Sequence, residues 1–183
     1  MNLFKTERKT RRNGDAAEFT FRLCGPEDLE EILALQRHVK EQIPDSRIFV
    51  ENTREELAES LALDCCIGAF SDGRLAAFSL SVANRATDRN LAKKLGCTDE
   101  ELLKYVTYDT TFIHPAYRGF GLQKYFIPIK DEHARERGAL YALCTVSPDN
   151  PHSLANVQAS GFQIVRRAVL YGGVERLILK KAL

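Results

Sequence analysis

An α/β domain built on one central sheet is the fold class the sequence predicts, and three observations lead to it. The chain has 183 residues, 44% of them hydrophobic, enough to fill one core and too few for a second full domain. Stretches with the two-residue period of strands alternate with stretches carrying the period of helices. Their order is strand, two helices, hairpin, strand, long helix, strand, short helix and closing hairpin, the pattern of a mixed α/β sandwich.

Residues 18–24 alternate, with Phe19, Phe21 and Leu23 on one face, and Gly25-Pro26 ends that strand. From Pro26, Leu29, Ile32, Leu33, Leu35 and Val39 recur at helical spacing to about Gln42, with Glu27 and Asp28 in the first turn, where the helix dipole favours acids. Thr53-Arg54-Glu55-Glu56 has the form of a capping box, and Leu57 with Leu61 carries the second helix onward. Residues 65–70 and 75–83 read as a hairpin around Ser71-Asp72-Gly73-Arg74. Residues 85–104 are polar, with short helical pieces at 91–95 and from Thr98, and read as an insertion. Residues 105–113 return to a strand composition. Residues 119–137 place Leu122, Phe126, Ile129 and His133 on one helical face, with Pro128 expected to kink the helix. Residues 139–146 suit a buried strand, Asn150-Pro151 opens a helix that Gly161 stops, and residues 162–170 and 174–181 pair around Gly172-Gly173.

Formal net charge is +1, from 26 basic and 25 acidic side chains, so no global field draws the molecule to nucleic acid or a membrane. Lys5, Arg8, Lys9, Arg11 and Arg12 make residues 1–17 a basic, flexible N-terminal segment, read as a frayed end in preference to an RNA-binding arm. Residues 18–183 are then the domain, with the insertion at 85–104. Five cysteines without CxxC spacing read as reduced thiols, and Cys144 in an apolar strand reads as inert. There is no secretory stretch, and no apolar run approaches the roughly 18 residues of a membrane helix. The expectation is a soluble, cytoplasmic protein. The histidines show no metal-ligand spacing with the cysteines, so no metal is expected, and His114 before Pro115 reads as a loop residue.

The chemistry concentrates in Ile113-His114-Pro115-Ala116-Tyr117-Arg118-Gly119-Phe120-Gly121-Leu122-Gln123-Lys124, which places two glycines where a strand gives way to a helix. Glycines let the backbone turn tightly and approach a ligand, and the free N–H groups of the helix's first turn then converge on one spot with the positive end of the dipole behind them. Such a turn can hold a pyrophosphate, with Arg118 and Lys124 adding charge at its rim. Neither GxxxxGK[ST] nor an early GxGxxG is present to compete.

This segment resembles the acyl-CoA signature of the GNAT N-acetyltransferase superfamily, with Arg118, Gly121 and Gln123 in its three diagnostic places and Gln123 standing where a small residue is usual. Asn150, Ser153 and Gly161-Phe162 resemble the family's later motif. The resemblance covers roughly residues 18 to 181. It implies a GNAT-like α/β (α+β) fold: a mixed, mostly antiparallel sheet with helices on both faces, whose fourth and fifth strands, residues 105–113 and 139–146, splay apart. It also implies acetyl-CoA as the acyl donor, with Phe112 and Ile113 offering backbone to the pantetheine arm, residues Arg118, Gly119, Phe120, Gly121, Leu122, Gln123 and Lys124 cradling the phosphates, and Asn150, Ser153 and Asn156 on the other side. Asn150 serves equally well as a helix N-cap.

Transfer to an amine needs a base, a polarised carbonyl and an acid for the departing thiolate. Asp109, the one carboxylate in residues 105–113, is the candidate base; neighbouring threonines are its bland alternative. For the acid, Ser153, Asn156, Tyr108 and Tyr117 stand open, because Val157 occupies the place where many relatives carry a tyrosine. Alternation puts Thr107, Asp109, Thr111 and Ile113 on one face of the strand and Tyr108, Thr110 and Phe112 on the other. The first two helices and the insertion are expected to shape the acceptor side. The acceptor is a small-molecule amine, an amino acid or a protein amine, and a homodimer is compatible with the sequence. A non-catalytic acyl-CoA-binding module is the alternative reading.

Overall fold

The computed structural model describes residues 4–43, 45 and 48–183. Along the chain run β1 (Phe4–Thr10), β2 (Ala16–Leu23), α1 (Leu29–Glu41), α2 (Arg54–Leu63), β3 (Cys65–Ser71), β4 (Arg74–Val82), α3 (Asp99–Leu102), β5 (Tyr105–Ile113), α4 (Leu122–Glu136), β6 (Tyr141–Val146), α5 (Pro151–Gln158), β7 (Gln163–Leu170) and β8 (Val174–Ala182). The strands form one sheet in the order β1-β2-β3-β4-β5-β6-β8-β7. Every pairing is antiparallel except that of β5 with β6.

Helices cover both faces. On one, α1 and α2 bury Ile32, Leu35, Val39 and Leu57 against Phe78, Leu80 and Phe112. On the other, α4 lays Leu122 and Phe126 on Phe19, Phe21 and Ile67, and farther along packs Ile127 and Ala134 with Val106, Tyr108 and Cys144. The expected capping box at Thr53 starts α2: its hydroxyl accepts from Glu56 N–H at 3.1 Å while the Glu56 carboxylate accepts from Thr53 N–H at 2.7 Å.

Four expectations need correction. The first concerns residues 1–17: Phe4–Thr10 form an ordered edge strand, in register with β2 from Phe4↔Arg22 to Thr10↔Ala16. Its lysines are anchored, since Lys5 and Lys9 pair with Glu7 and the Lys9 ammonium lies 3.7 Å from the centre of the Tyr125 ring. A strand whose face is built from charges held by aromatic rings carries no apolar alternation to read. Second, the buried face of α4 is Leu122, Phe126, Ile127, Lys130, Asp131 and Ala134, not the Ile129–His133 side. Two polar residues hid that face: Asp131 is satisfied by the Tyr108 hydroxyl at 2.6 Å and by the Lys181 ammonium, while Lys130 lies beneath the Tyr108 ring. Third, burial of that face of β2 stops at Phe21: Leu23 lies on the same face, opposite Ile67, but is 37% exposed at the strand's end.

The fourth correction shapes the site. β4 pairs Leu80 with Thr110 and then Ser81 with Tyr108, leaving Asp109 without an opposite residue. One extra residue breaks the two-residue alternation and bends the strand. Val106 and Tyr108 therefore pack on the α4 side with Ile113, whereas Phe112 joins the α1–α2 core and Thr107 accepts from Leu91 N–H on that same side. The expected grouping of Thr107 with Ile113, and of Tyr108 with Phe112, fails at this bulge.

β5 and β6 pair for four residues, Tyr105↔Tyr141 to Tyr108↔Cys144, and then part. The bulged Asp109 is the first residue of β5 beyond the last pair.

Candidate active site

Where β5 and β6 separate, a cleft of about 1330 Å³ passes through the sheet. One mouth is built by α4 and α5, the other by the segment before α2, residues 88–94 and the turn between β7 and β8.

At the α4 mouth, Gly119 (φ +88°) and Gly121 (φ +73°) adopt left-handed backbone, a region where a side chain costs about 1–2 kcal/mol. Gly121 caps α4, and the first intrahelical bond runs from Tyr125 N–H to its carbonyl at 3.1 Å, so the amides of Leu122, Gln123 and Lys124 precede the helical ladder. A Cβ on Gly121 would meet nothing within 4 Å, so the space before the helix is open. Arg118, Gly119, Gly121, Leu122, Gln123 and Lys124 all border the cleft. Phe120 does not: its buried ring meets Phe19 at 5.2 Å and props the turn from below. Above Phe120 lies Arg11, from the β1–β2 turn, with its guanidinium 4.3 Å from the ring and a hydrogen bond to the Ala116 carbonyl. The N-terminal hairpin thus buttresses the glycine turn, a part the sequence reading did not give it.

Gln123, the departure from the family's usual small residue, ties the two helices together. Its Nε2 donates to Ser153 Oγ at 3.3 Å and its Oε1 accepts from Asn156 Nδ2 at 2.8 Å. Asn150 Oδ1 accepts from Ser153 N–H at 3.1 Å, the N-cap of α5. Asn150, Ser153 and Asn156 therefore stand together on the cleft wall, with the Ser153 hydroxyl accepting from Gln123 and free to donate its own proton. Phe112 and Ile113 border the cleft, the Phe112 ring being buried in the core.

Across the sheet stands Asp109. Its Oδ2 accepts from Asn52 Nδ2 at 3.0 Å and from Arg89 Nη2 at 2.7 Å, while Oδ1 has no hydrogen-bond partner among the described residues. Arg89 is fixed by the Glu56 carbonyl at 3.1 Å and Ser60 Oγ at 2.6 Å, and Asn52 is held by a backbone clamp with the buried Gln36. The bland partners expected for Asp109, neighbouring threonines, are not the ones it takes. The insertion and α2 do reach this mouth, through Arg89 and the segment around Asn52.

Tyr108 is placed differently from its expected role. The bulge turns it toward α4, where its hydroxyl donates to Asp131, and burial followed by that carboxylate raises its pKa well above the tyrosine range. Its proton is committed to Asp131, and that bond ties β5 to α4. Tyr117 packs against Phe19 and His114 and stays off the cleft. His114 caps the turn after β5, its Nδ1 accepting from Ala116 N–H at 3.1 Å, and stacks on His38 with ring centres 4.6 Å apart. Burial, then His38 and Arg118, lowers its pKa. The Cys144 thiol is pushed up to about 12 by burial, consistent with an inert thiol. Among the described residues no three His, Cys, Asp or Glu side chains are placed to hold a metal ion, and no helix is long and apolar enough to cross a membrane.

Four cleft residues escaped sequence reasoning. Lys130 is 3% exposed, makes no hydrogen bond or ion pair among the described residues, and sits 4.3 Å from the Tyr108 ring; burial draws its pKa down to about 8. Arg176 on β8 is 4% exposed, donates through Nη1 to the Ile48 carbonyl at 3.3 Å, and leaves Nε buried without a partner. Asn52 Oδ1 is likewise buried and unpaired. Tyr171 holds a left-handed backbone (φ +49°) without being glycine, and its hydroxyl lies 3.2 Å from Thr145 Oγ1. A helical or strand period cannot reveal such residues, because tertiary packing alone brings them together. The one local signal was Gly172-Gly173, which marks a turn and not a ligand.

No protein-family model and no curated protein matches the sequence. Solved structures match it in shape. An acetyltransferase of the GNAT family from Streptococcus pneumoniae superposes with a TM-score of 0.69 at 18% identity, over 90% of this chain and 99% of that one. A GNAT-family acetyltransferase from Listeria monocytogenes gives 0.69 at 17% identity, over 97% and 100%. The PaiA N-acetyltransferase from Thermoplasma acidophilum, solved in complex with coenzyme A, gives 0.65 at 16% identity, over 90% and 99%. These structures match over nearly the whole of both chains at identities of 16–18%, and the chain has the fold of the GNAT N-acetyltransferase superfamily.

Proposed function

We propose that the protein transfers an acetyl group from acetyl-CoA directly to a primary amine. The observation that carries this reading is the cleft through the sheet, with a glycine turn suited to phosphates at one mouth and the half-paired carboxylate of Asp109 at the other. Donor and acceptor can enter from opposite faces and meet where β5 and β6 part.

At the α4 mouth, the amides that precede the helical ladder and the exposed Arg118 and Lys124 suit a pyrophosphate. Beyond Tyr108 and Cys144, the backbone of the parted strands has N–H and C=O groups to pair with the pantetheine amides. Asp109 Oδ1 takes the proton of the acceptor ammonium, and Arg89 and Asn52 keep the carboxylate aimed by holding its other oxygen. The freed amine attacks the thioester carbon, the carbon–sulfur bond breaks, and the Ser153 hydroxyl, which Gln123 and Asn150 hold in place, gives its proton to the departing sulfur and takes back the proton that the acylated nitrogen releases as the amide forms.

One observation favours a second reading, that of an acyl-CoA-binding module without turnover. Val157 is buried on the cleft wall where many GNAT enzymes carry a tyrosine, and Tyr108 is committed to Asp131. Thiol release from acetyl-CoA with a panel of amines separates the two. Transfer that falls at least about 100-fold in Asp109→Ala supports the enzyme. Tight coenzyme A binding with no transfer to any amine supports the binder.

A further inference from the structure

Arg176 has a charge that no carboxylate among the described residues answers; besides one neutral carbonyl, its guanidinium meets only the Tyr171 ring, 5.8 Å from the ring centre. It is 4% exposed, it borders the cleft, its one hydrogen bond goes to a neutral carbonyl, and no carboxylate pairs with it. Burying a guanidinium in this way is costly unless an anion arrives to share the site. Burial also lowers its pKa, with only the Tyr171 hydroxyl acting in the other direction.

The position of Arg176 says which molecule that anion belongs to. On β8, Ile178 packs on the face of the sheet that carries Leu91 and Leu143, and Arg176, two residues away, shares that face. Thr145, paired with Ile178 across β6 and β8, lies on it too and meets the Tyr171 hydroxyl. Asp109 opens to the same side, toward Asn52 and Arg89. Arg176 therefore belongs to the acceptor mouth, across the sheet from the glycine turn and its phosphates. Two of the three buried unpaired side-chain atoms among the described residues, Arg176 Nε and Asn52 Oδ1, border this mouth, and the left-handed Tyr171 stands beside it.

We infer that the acceptor is a small amine bearing a carboxylate, an amino acid or a close analogue, whose ammonium meets Asp109 Oδ1 and whose carboxylate is bound by Arg176. A single guanidinium matches the single charge of a carboxylate and offers it a planar fork of donors. The arrangement disfavours protein N-termini, whose first carbonyl is a peptide and not an acid. This inference rests on the proposed acetyl transfer, and two separate readouts keep their failures apart.

The test measures transfer to matched acceptors, the common amino acids against their carboxamides and their decarboxylated amines, in the wild type, Arg176→Gln and Arg176→Lys. Binding of the same amino acids without any donor is measured alongside by calorimetry. Wild type is expected to favour the best acid over its carboxamide by at least about 100-fold in kcat/KM, because a site built around a charged partner rejects the analogue lacking it. In Arg176→Gln that ratio falls to near one, and Arg176→Lys restores part of it. Coenzyme A affinity in each variant reports that the fold survives. Equal rates for acids and carboxamides in the wild type, or an unchanged ratio in Arg176→Gln, overturns the inference. If no amine is acetylated, the transfer reading fails by itself. Calorimetry then decides the inference: amino-acid binding lost in Arg176→Gln sustains it, and no binding by the wild type sinks it.

Discussion

Asp109 holds one carboxylate oxygen against Arg89 and Asn52, and Arg176 holds a buried guanidinium at the same mouth of the cleft. Asp109 could be picked out because a carboxylate in a strand of threonines and aromatics needs a task, but its partners Arg89 and Asn52 lie 20 and 57 residues away and meet it only through folding. Tyr108 looked like a proton donor until the bulge turned it to Asp131. Lys130 was invisible, since a lysine at a helical position normally reads as solvated. Its burial has a measurable consequence. Below pH 8 the amine is charged in folded and unfolded chains alike, and the full cost of burying it weighs on the fold. As pH rises from about 8 toward the ordinary lysine value of 10.5, the folded state gives up its proton first, so the unfolded chain binds more protons and stability increases. Lys130→Met should therefore stabilise the protein at pH 7 by on the order of 3 kcal/mol, an advantage that shrinks as pH approaches 10.5. Urea unfolding of both proteins at a series of pH values checks this, and a constant difference would contradict it.

Among the elements, helices and hairpins with strong local grammar were legible. The Thr53 capping box, the Asp72-Gly73 turn and the Asn150-Pro151 helix start all fall where the sequence places them. β1 was not legible, because its stabilisation is long-range: Lys9 on Tyr125, Arg11 on Phe120. The bulge at Asp109 was equally silent, since an extra residue in one strand shows only against its neighbour's register. β1 and its turn carry a prediction of their own. Arg11→Ala removes a ring contact and a hydrogen bond to the Ala116 carbonyl, and should cost about 1 kcal/mol of stability. It should also weaken coenzyme A binding, because the glycine turn loses its outer support. Thermal unfolding and a coenzyme A titration measure the two effects. Lost stability with unchanged coenzyme A affinity would show that the hairpin supports the fold and not the turn.

For the whole molecule, the order of elements and the single sheet could be read from the sequence, and the parting of β5 and β6 followed from the resemblance. What no local pattern contained is that the parting makes a passage through the sheet with chemically different mouths. Phosphate-suited amides lie at one end, and a carboxylate with a buried guanidinium lies at the other. The glycine turn is the part on which the rest depends, and calorimetric titration with acetyl-CoA tests it most directly. The wild type should bind one equivalent with a dissociation constant below about 1 mM. Gly121→Val, which forces a branched side chain into left-handed backbone at the head of α4, should weaken binding by at least about tenfold. Absence of binding at millimolar acetyl-CoA, or equal affinity in Gly121→Val, would contradict the account.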